Sequence, residues 1–318
     1  MDSAATDRFD VSRFEAGRSR LASLAYRLLG SATDAEDAVQ DAFLHWQAAD
    51  RQRIREPEAW LTKVVTNLCL DRLRSAQARR ERTAGAWLPE PLLDGDVLLG
   101  PADTFEQRES VSLAVLMLME RLSPMERAVY VLREAFAYGH AEIAEILDIT
   151  ESASQQHLHR ARHRVTSARR GGGDVDPASA RRIVEEFLAA ASSGRTEQLV
   201  ALLTDDATAF SDGAGGLAEK LLRYDTPRRI AAVVRAGFKP TPAKRRLAGG
   251  TPAVHYASVN GAPAILFVLG DQVIGAVTFD VAGGKIATVR GIAAPTRLVR
   301  LTKAWRQQVP DTPLIAKW

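Results

Sequence analysis

Cysteine is almost absent from this chain of 318 residues: Cys69 is the only one. A single thiol cannot form an intrachain disulfide, so the sequence excludes a small disulfide-stapled secreted domain. It also lacks an apolar run of the roughly 18 residues needed to span a bilayer. The first ten residues carry no basic stretch followed by an apolar one, the pattern of a signal peptide. We therefore expect a cytoplasmic protein with no membrane partner.

The charges of the chain are separated into blocks, although the net charge is only +3. Residues 31–50 hold five acids and no lysine or arginine, whereas residues 51–82 hold nine basic residues against four acids. Residues 83–107 hold five acids and no basic residue, and residues 151–170 hold five arginines against one acid. Blocks of opposite sign predict separate surfaces for separate partners.

Apolar periodicity divides the chain into modules. Residues 8–82 and 108–170 repeat their apolar side chains at helical spacing, and residues 83–107 between them do not. The segment 169–177, RRGGGDVDP, is a clear boundary, because three glycines precede an Asp-Pro pair that can begin a helix. In the first module, Gly30 is expected to end one helix and either Ser31 or Thr33 to cap the next.

After residue 177 the pattern becomes mixed. Residues 178–192 and 195–203 predict helices, and shorter segments then alternate apolar and polar residues as strands do. These predicted strands are 252–259, 264–270, 272–281 and 285–293. Asn-Gly at 260–261 and Gly-Gly at 283–284 are hairpin signals, so the third module is expected to be α+β with an antiparallel sheet. The tail, 296–318, predicts a short basic helix that buries Leu298, Leu301 and Trp305 on one side.

The linker between the two helical modules is unusual. Residues 85–93 read GAWLPEPLL, and Pro89 and Pro91 exclude a helix there. A flexible linker is normally polar, but this one carries four large apolar side chains: Trp87, Leu88, Leu92 and Leu93. Side chains of this kind require a partner surface.

The second helical module contains the pattern of a helix-turn-helix in residues 140–165, HAEIAEILDITESASQQHLHRARHRV. Asp148 tolerates the left-handed backbone of the turn, and Thr150 can cap the second helix. The inward residues of that helix are expected to be Ala153, Leu158, Ala161 and Val165. The outward residues are expected to be Ser152, Gln155, Gln156, His159 and Arg162, with Arg160 and Arg164 at the flank. Glutamine can bind adenine edges and arginine can bind phosphate or guanine, although an amphipathic helix pair that touches no DNA has the same pattern.

The two helical modules together resemble the bacterial sigma-70 family, specifically its extracytoplasmic-function group. The segments DAEDAVQDAFLHW (34–46) and AWLTKVVTNLCLDRLRS (59–75) resemble sigma region two, and residues 122–165 resemble region four. The resemblance implies a sigma factor, which binds core RNA polymerase and promoter DNA and is not an enzyme. It covers nearly all of residues 8–168.

The resemblance assigns partners to the two halves of region two. It implies that the acidic helix contacts core RNA polymerase through Asp34, Glu36, Asp37, Gln40 and Asp41. It implies that the next, basic helix holds the separated strand of the −10 element through Trp60, Lys63, Asn67, Asp71, Arg72 and Arg74. Capture of a single strand needs cationic charge and a place for extruded bases. Trp60 also opens an apolar stripe and can belong to the core, and Asn67 and Asp71 can be structural braces.

The resemblance places the second helix of region four in the major groove of the −35 element. Gln155, Gln156 and His159 are then expected to select bases, and the arginines to add salt-dependent affinity. The chain departs from the family at Ser154, where relatives usually have a small apolar residue, and at Gln155, where many have a basic one. These departures leave the −35 sequence open.

The segment WLPEP is a feature of the sigma subgroup with a C-terminal SnoaL-like domain, a cone of curved antiparallel sheet and helices. The third module resembles that domain over residues 176–294. The subgroup's glycine-rich motif corresponds to DGAGG at 212–216 and a later motif to APTRL at 294–298, both degenerate. The resemblance implies regulation within the chain through an interdomain contact of Trp87, Leu88, Pro89, Glu90, Pro91, Asp212, Gly213, Gly215 and Gly216. The apolar linker residues can instead complete the core of region two.

Other functions remain as alternatives. The chain can be a helix-turn-helix regulator that senses a small molecule in the cone, or a SnoaL-type enzyme fused to a DNA-binding arm. His255 and Asp212 are the general-base candidates, although a lone histidine on a strand is more often structural. No metal-ligand spacing or pair of carboxylates stands out, so we expect no catalytic residues, metal or cofactor. Whether the cone binds a small-molecule ligand is unknown from the sequence.

The sequence thus predicts a multidomain protein with two all-α domains and a C-terminal α+β SnoaL-like cone. The expected segments are region two at 8–82, an acidic linker at 83–107, region four at 108–170, the cone at 176–295 and the tail at 296–318.

Overall fold

The computed structural model of the chain describes residues 3–80, 88–100, 107, 109–168, 176–213, 221–309 and 311–318. Its contacts divide the chain into two compact units. The first unit comprises Met1–Ala84 and Gly95–Ala168, and the second comprises Gly85–Asp94 and Arg169–Trp318. Within the described residues, no helix is both long enough and apolar enough to cross a bilayer.

The first unit begins with the long helices α1 (Ser3–Leu29), α2 (Ala32–Ala48) and α3 (Pro57–Arg80). Gly30 ends α1 with a φ of 65°, in the left-handed region that favours glycine. The Ser31 hydroxyl accepts the amide of Asp34 at 3.2 Å and caps α2. The predicted glycine stop is confirmed, and Ser31, one of the two predicted caps, is the residue that caps the helix.

Shorter helices complete the first unit: α4 (Leu113–Met119), α5 (Pro124–Glu134), α6 (His140–Leu147) and α7 (Glu151–Ala168). A capping box fixes the start of α5, because the Ser123 amide donates to Glu126 Oε2 at 3.0 Å and the Glu126 amide donates back to Ser123 Oγ at 3.3 Å. The acidic linker contributes a short 3₁₀ turn, Val97–Leu99, to this unit.

Helices α6 and α7 form the predicted helix-turn-helix. Asp148 adopts the left-handed conformation, with φ 52° and ψ 48°, and Thr150 Oγ1 accepts the amide of Ala153 at 3.1 Å. The inward face of α7 was predicted wrongly at one place: Ser154 is fully buried, whereas Ala153 is only partly buried. A serine is tolerated there because its hydroxyl pairs with His140 Nδ1 at 2.9 Å.

The second unit combines helices with one mixed sheet. Its helices are α8 (Pro177–Ser193), α9 (Thr196–Ala201), α10 (Pro227–Phe238), α11 (Pro242–Ala248) and α12 (Pro295–Trp305). Its strands are β1 (Leu203–Ser211), β2 (Leu222–Tyr224), β3 (Ala253–Val259), β4 (Ala262–Leu269), β5 (Gln272–Ala282) and β6 (Lys285–Ile292). The strand order is β2-β1-β6-β5-β4-β3, so β2 and β3 are the edges.

Part of this unit differs from the sequence prediction. The sheet is not purely antiparallel, because β1 pairs with β6 in parallel. The sequence prediction also missed β1, β2, α10 and α11. In β1 the polar run Thr204-Asp205-Asp206 hides the alternation, and β2 has only three residues. The helix predicted to reach residue 203 stops at Ala201, since Leu203 already pairs with Ile286 of β6.

The hairpin turns and the tail helix agree with the sequence prediction. Asn260 and Gly261 both have positive φ, 51° and 75°, in the tight turn between β3 and β4. The predicted helix of the tail is α12, which buries the expected side chains: Leu298, Leu301 and Trp305.

The two faces of the sheet have different partners. One face packs against α8 and α10 around an aromatic cluster in which Phe187 contacts both Phe238 and Phe279. On the opposite face, α12 packs with Trp305 edge-on to His255 at 4.9 Å between ring centroids. The sheet is therefore covered by helices on both sides, and the outer edge of β3 forms isolated β-bridges through Val259 and Val254.

Candidate functional site

The outward face of α7 carries the residues predicted to select bases. Ser152, Gln155, Gln156 and His159 are all exposed. Gln155 and His159 line a surface groove whose full lining is His140, Gln155, Leu158, His159, Arg162, His163 and Thr166. Donors and acceptors for base edges thus project together from one helix.

The arginines of α7 are paired with acids of α5 rather than extended into solvent. Arg160 Nε and Arg164 Nη1 bind the two carboxylate oxygens of the buried Glu126, at 3.1 and 2.5 Å, and Arg162 Nη2 binds Glu134 at 2.7 Å. The three arginine side chains remain about half exposed. Arg160 and Arg164 reach their shared carboxylate from the solvent side, because the Glu126 side chain is only 5% exposed.

Burial raises the pKa of the Glu126 carboxyl, but the hydrogen bonds from Ser123 and the charges of the arginines outweigh it, and the net pKa is lowered. Glu126 therefore stays ionised at neutral pH. This carboxylate is the centre that orients two of the arginines on the flank of α7.

Four of the five α2 residues that the sequence analysis assigned to a polymerase contact lie at the surface. Asp34, Glu36, Asp37 and Gln40 are exposed. Asp41 is partly buried, because its carboxylate binds Arg72 Nη2 of α3 at 2.7 Å. Arg72 also donates to the carbonyl of Asp34 at 2.9 Å, so this arginine joins α2 to α3.

The six residues predicted to bind the −10 element lie in different environments on α3. Asp71 and Arg74 are exposed and bind each other at 3.0 Å, one turn apart. Asn67 is partly buried. Trp60 is also partly buried. The centre of its ring lies 5.7 Å from that of Trp46, so Trp60 lies at the edge of the core.

Lys63 has a partner that the sequence did not indicate. Its Nζ binds Asp148 Oδ1 in the turn of the helix-turn-helix at 2.7 Å, and the carbonyl of Glu145 at 2.9 Å. Beside it, the hydroxyl of Tyr138 lies 3.2 Å from Thr62 Oγ1 and accepts Arg20 Nη2 at 2.7 Å. Helices α3 and α6 are therefore in contact, and this contact covers part of the surface predicted to bind DNA.

Buried arginines hold the helices of the first unit together. Arg27 donates to Ser110 Oγ at 2.8 Å and to the carbonyl of Leu99 at 2.8 Å, and burial lowers its pKa to about 10. Arg127 binds Glu120 at 2.5 Å, and burial lowers its pKa to about 9. Both guanidinium groups stay charged at neutral pH. Neither residue stood out in the sequence, because Ser110 and Leu99 lie far along the chain from Arg27, and Glu120 and Arg127 belong to different helices.

The linker segment, residues 88–94, is part of the second unit, although the residues on both sides of Gly85–Asp94 belong to the first. Leu92 and Asn260 exchange two hydrogen bonds: the Asn260 amide donates to the Leu92 carbonyl at 2.9 Å, and the Leu92 amide donates to Asn260 Oδ1 at 2.8 Å. Leu93 forms a β-bridge with Val259. Leu88, Leu92 and Leu93 are buried. Trp87 lies outside the described residues.

Asp94 fastens the end of the linker segment. Its amide donates to the Ser258 carbonyl at 3.1 Å, and its carboxylate accepts the Gly261 amide at 2.8 Å and the Ser258 hydroxyl at 2.6 Å. The segment thus pairs with the outer edge of β3 and with the turn that follows it. The sequence prediction of the apolar contact did not include Asp94, which lies one residue beyond the quoted motif.

Arg297 of the APTRL motif lies close to residues of the other two motifs, WLPEP and DGAGG. Its Nη1 donates to the Leu88 carbonyl at 2.7 Å. Burial lowers the pKa of Arg297, and the nearby carboxylates of Asp212 and Glu90 oppose that shift. Pro89 and Pro91 are buried beside Glu90, and Gly213 has a positive φ of 67°. Gly215 and Gly216 lie outside the described residues.

The two general-base candidates of the cone are not placed together. Asp212 accepts the amides of Ala293 and Ala294, at 2.9 Å each for the shorter contacts, and so fixes the start of α12. Successive side chains of a strand point to opposite faces. Val254 of β3 belongs to the interior cluster, so His255 faces α12 on the other side. Burial lowers the pKa of His255. Among the described residues, no group of three or more histidines, cysteines or carboxylates is arranged to hold a metal ion.

Comparisons with known proteins identify the two helical modules. Residues 13–79 match the family described as Sigma-70 region 2, and residues 112–165 match Sigma-70, region 4. The chain is 43% identical over 207 residues to the ECF RNA polymerase sigma factor SigJ of Mycobacterium tuberculosis, across 65% of this chain and 66% of that protein. It is 31% identical over 290 residues to the probable ECF RNA polymerase sigma factor SigI of the same species, across 90% of this chain and 93% of that protein.

The fold is also similar to a solved structure. The crystal structure of the M. tuberculosis extracytoplasmic function sigma factor SigJ superposes with a TM-score of 0.66 and 32% identity. The match covers 90% of this chain and 97% of that chain, so it includes both helical parts and the sheet.

The hydrogen bonds of Asn260 lead to a test of the linker segment. Replacing Asn260 with alanine should raise hydrogen exchange at the Leu92 amide about tenfold or more, since losing a buried acceptor costs about 1–3 kcal/mol. Asn260→Asp is the matched control, because aspartate tolerates the left-handed backbone and keeps an acceptor oxygen, so the protection of Leu92 should stay near that of wild type. Unchanged protection of Leu92 in the alanine variant would contradict this account of the contact.

Proposed function

Because the chain belongs to the extracytoplasmic-function sigma factors of the sigma-70 family, we propose that α7 selects its −35 element, that α3 holds its −10 element, and that the linker segment regulates both. Membership of that family makes the chain a subunit that confers promoter specificity on RNA polymerase and initiates transcription. The paired modules imply core RNA polymerase and promoter DNA as partners. Beyond this family function, we propose the roles of individual residues and the regulation by the linker segment.

The exposed face of α7 supports the −35 assignment. Gln155, Gln156 and His159 offer hydrogen-bonding groups of the kind that distinguish base pairs in the major groove. The half-exposed arginines on the flank would exchange Glu126 and Glu134 for backbone phosphates. Because this exchange conserves the number of charge pairs, the favourable free energy of binding comes chiefly from the counterions that the DNA releases.

The environments on α2 and α3 refine the assignments in region two. The exposed acids of α2 are free of steric obstruction for a basic surface of the polymerase. On α3, Arg74 is positioned for a phosphate, whereas Arg72 braces α2 through Asp41. Lys63 becomes available to DNA only when its pair with Asp148 opens. We therefore assign Arg74 and Lys63 to DNA, and Arg72 to the support of the polymerase contact.

The observation that carries the regulatory proposal is the position of the linker segment. Both of its ends continue into the first unit, yet its hydrogen bonds are made with β3 of the second. A sigma linker has to change its path when the two DNA-binding modules separate onto promoter DNA. Holding residues 88–94 on β3 therefore opposes that separation, and release of the segment favours it.

The main proposal can be tested by transcription in vitro with purified core polymerase and a library of promoter variants. Wild-type protein should produce transcripts from templates that share one −35 and one −10 sequence. Replacing the outward residues of α7 should alter only the −35 preference. Tight binding to duplex DNA without polymerase, together with no promoter-dependent transcript, would favour the ligand-sensing regulator instead.

Gln156 provides the sharpest test of base selection. Gln156→Ala should relax the preference at one base pair of the −35 element by about 1–3 kcal/mol, the discrimination given by a good side-chain contact. Arg162→Ala, in contrast, should weaken binding to all −35 variants and reduce its salt dependence. The measurement is relative transcription across a −35 library at two salt concentrations. An unchanged base preference in the Gln156 variant would remove this residue from the interface.

Two arginines of α3, Arg74 and Arg72, allow contact with DNA to be distinguished from support of the polymerase contact. Arg74→Ala should reduce permanganate reactivity of the open −10 region while leaving the affinity for core polymerase unchanged. Arg72→Ala should lower both, because it removes the bond to Asp41 that joins α2 to α3. Equal behaviour of the two variants in both measurements would contradict the division of roles.

The regulatory proposal predicts the direction of an effect on transcription. Asn260→Ala should increase transcript yield on a fixed promoter, because the linker segment is released more often. Ser258→Ala, which removes only the hydroxyl that binds Asp94, should give a smaller increase. Yield per core-bound sigma factor is the quantity to compare. A yield equal to or below that of wild type in both variants would show that the contact does not restrain the protein.

A further inference from the structure

The segment 311–318 folds back onto the second unit and ends at the interior of the cone. Ile315 forms a β-bridge with Val254 on the outer edge of β3, with the Val254 amide donating at 2.8 Å and the Ile315 amide at 3.2 Å. The Trp318 amide then donates to the Pro252 carbonyl at 2.9 Å. The Trp318 carbonyl in turn accepts Arg245 Nε at 3.1 Å, and Asp311 lies 3.7 Å from Arg181 Nη1. Residues 311–318 are thus held by a single bridge and a few bonds rather than by a continuous strand.

The side chain of Trp318, by contrast, is inserted deeply. It is 8% exposed and belongs to the interior cluster of the cone. Its ring meets Phe267 edge-on at 5.1 Å, and Phe267 in turn meets Phe238 at 5.4 Å. The indole Nε1 donates to the Phe238 carbonyl at 2.9 Å, at the end of α10.

Polar groups complete the environment of the ring. Lys244 Nζ lies 5.9 Å from the centre of the Trp318 ring, within the range of a cation–π contact. The carbonyl of Phe238 is one of the last carbonyls of a helix, which carry partial negative charge and require a donor. The place of Trp318 therefore combines an aromatic wall, a cation and a single acceptor.

This combination selects a definite class of molecule. A planar aromatic ring satisfies Phe267 and Lys244, and a ring N–H satisfies the Phe238 carbonyl. A hydrocarbon of the same shape leaves that buried carbonyl without its donor, which lowers affinity. Trp318 meets all three requirements as an internal group, attached through a short backbone contact.

We propose that the cone contains a binding site for small planar aromatic compounds with a ring N–H, of the indole class, and that Trp318 occupies it in the ligand-free protein. A ligand of this class displaces the ring and detaches residues 311–318 from β3. A tethered group of this kind acts at an effective concentration on the order of millimolar. A free ligand with the same contacts must therefore reach millimolar concentration before it competes.

The first experiment measures binding by calorimetry to the full chain carrying Trp318→Ala, with indole and indene as probes. Indole should bind with a stoichiometry of one, and indene, which has the same shape without the N–H, about tenfold more weakly. Leu247→Ala on the neighbouring helix α11 is the matched control, because Leu247 is 85% exposed, and it should give no binding at these concentrations. A folded Trp318→Ala protein that binds neither probe, or binds both equally, overturns the proposal.

The second experiment uses the wild-type chain and does not depend on the stability of the variant. Indole at up to about 10 mM, above the expected effective concentration, should speed hydrogen exchange at the amides of Val254, Ile315 and Trp318. Unchanged exchange at all three amides would show that Trp318 is a fixed part of the core, and the proposal would be wrong. Neither experiment contains polymerase or DNA, so their failure leaves the promoter function untouched.

Discussion

The outer edge of β3, the strand at one end of the sheet, is the constraint on which the second unit depends. An edge strand presents unpaired amides and carbonyls, and an uncovered edge invites association with other chains. Here the edge is covered at two places by segments distant in sequence, with Leu93 at Val259 and Ile315 at Val254. The linker segment is therefore bound by the same backbone chemistry that completes the sheet. Release of the segment would expose this part of the edge.

In the first unit, exposed groups also have partners within the protein, but these partners are opposite charges rather than strands. The basic groups suited to DNA have acidic partners in the free protein: Lys63 binds Asp148, and Arg164 shares Glu126 with Arg160. These pairs orient the basic side chains in the free protein. In the function that we propose, promoter DNA would supply replacement anions when the α3–α6 contact opens.

The sequence predicted the helices of the first unit well because their information is local. Gly30, Asp148 and Thr150 each act on backbone within a few residues, and apolar periodicity reveals the rest. Features that depend on distant partners were not predictable: the bond of Arg72 to Asp41 and the bond of Lys63 to Asp148 require the tertiary fold. The error at Ser154 has the same cause, because only the nearby His140 makes a buried serine acceptable. The resemblance to sigma factors supplied roles that periodicity cannot supply, and we propose how those roles divide among exposed and bracing residues.

The strength of the linker contact decides whether it can regulate. Each hydrogen bond to β3 contributes about 1 kcal/mol net, and each buried leucine about 1.5–3 kcal/mol. Ordering each backbone residue of the segment costs about 1–2 kcal/mol, so gains and costs are of similar size. A balance of this kind leaves a stabilisation of a few kcal/mol at most. Shifting a two-state equilibrium from 1:99 to 99:1 needs about 5.5 kcal/mol of differential binding, which is within reach of a partner that binds through two modules at once. A contact of this strength is therefore compatible with the regulation that we propose, in which polymerase and promoter DNA release the linker segment.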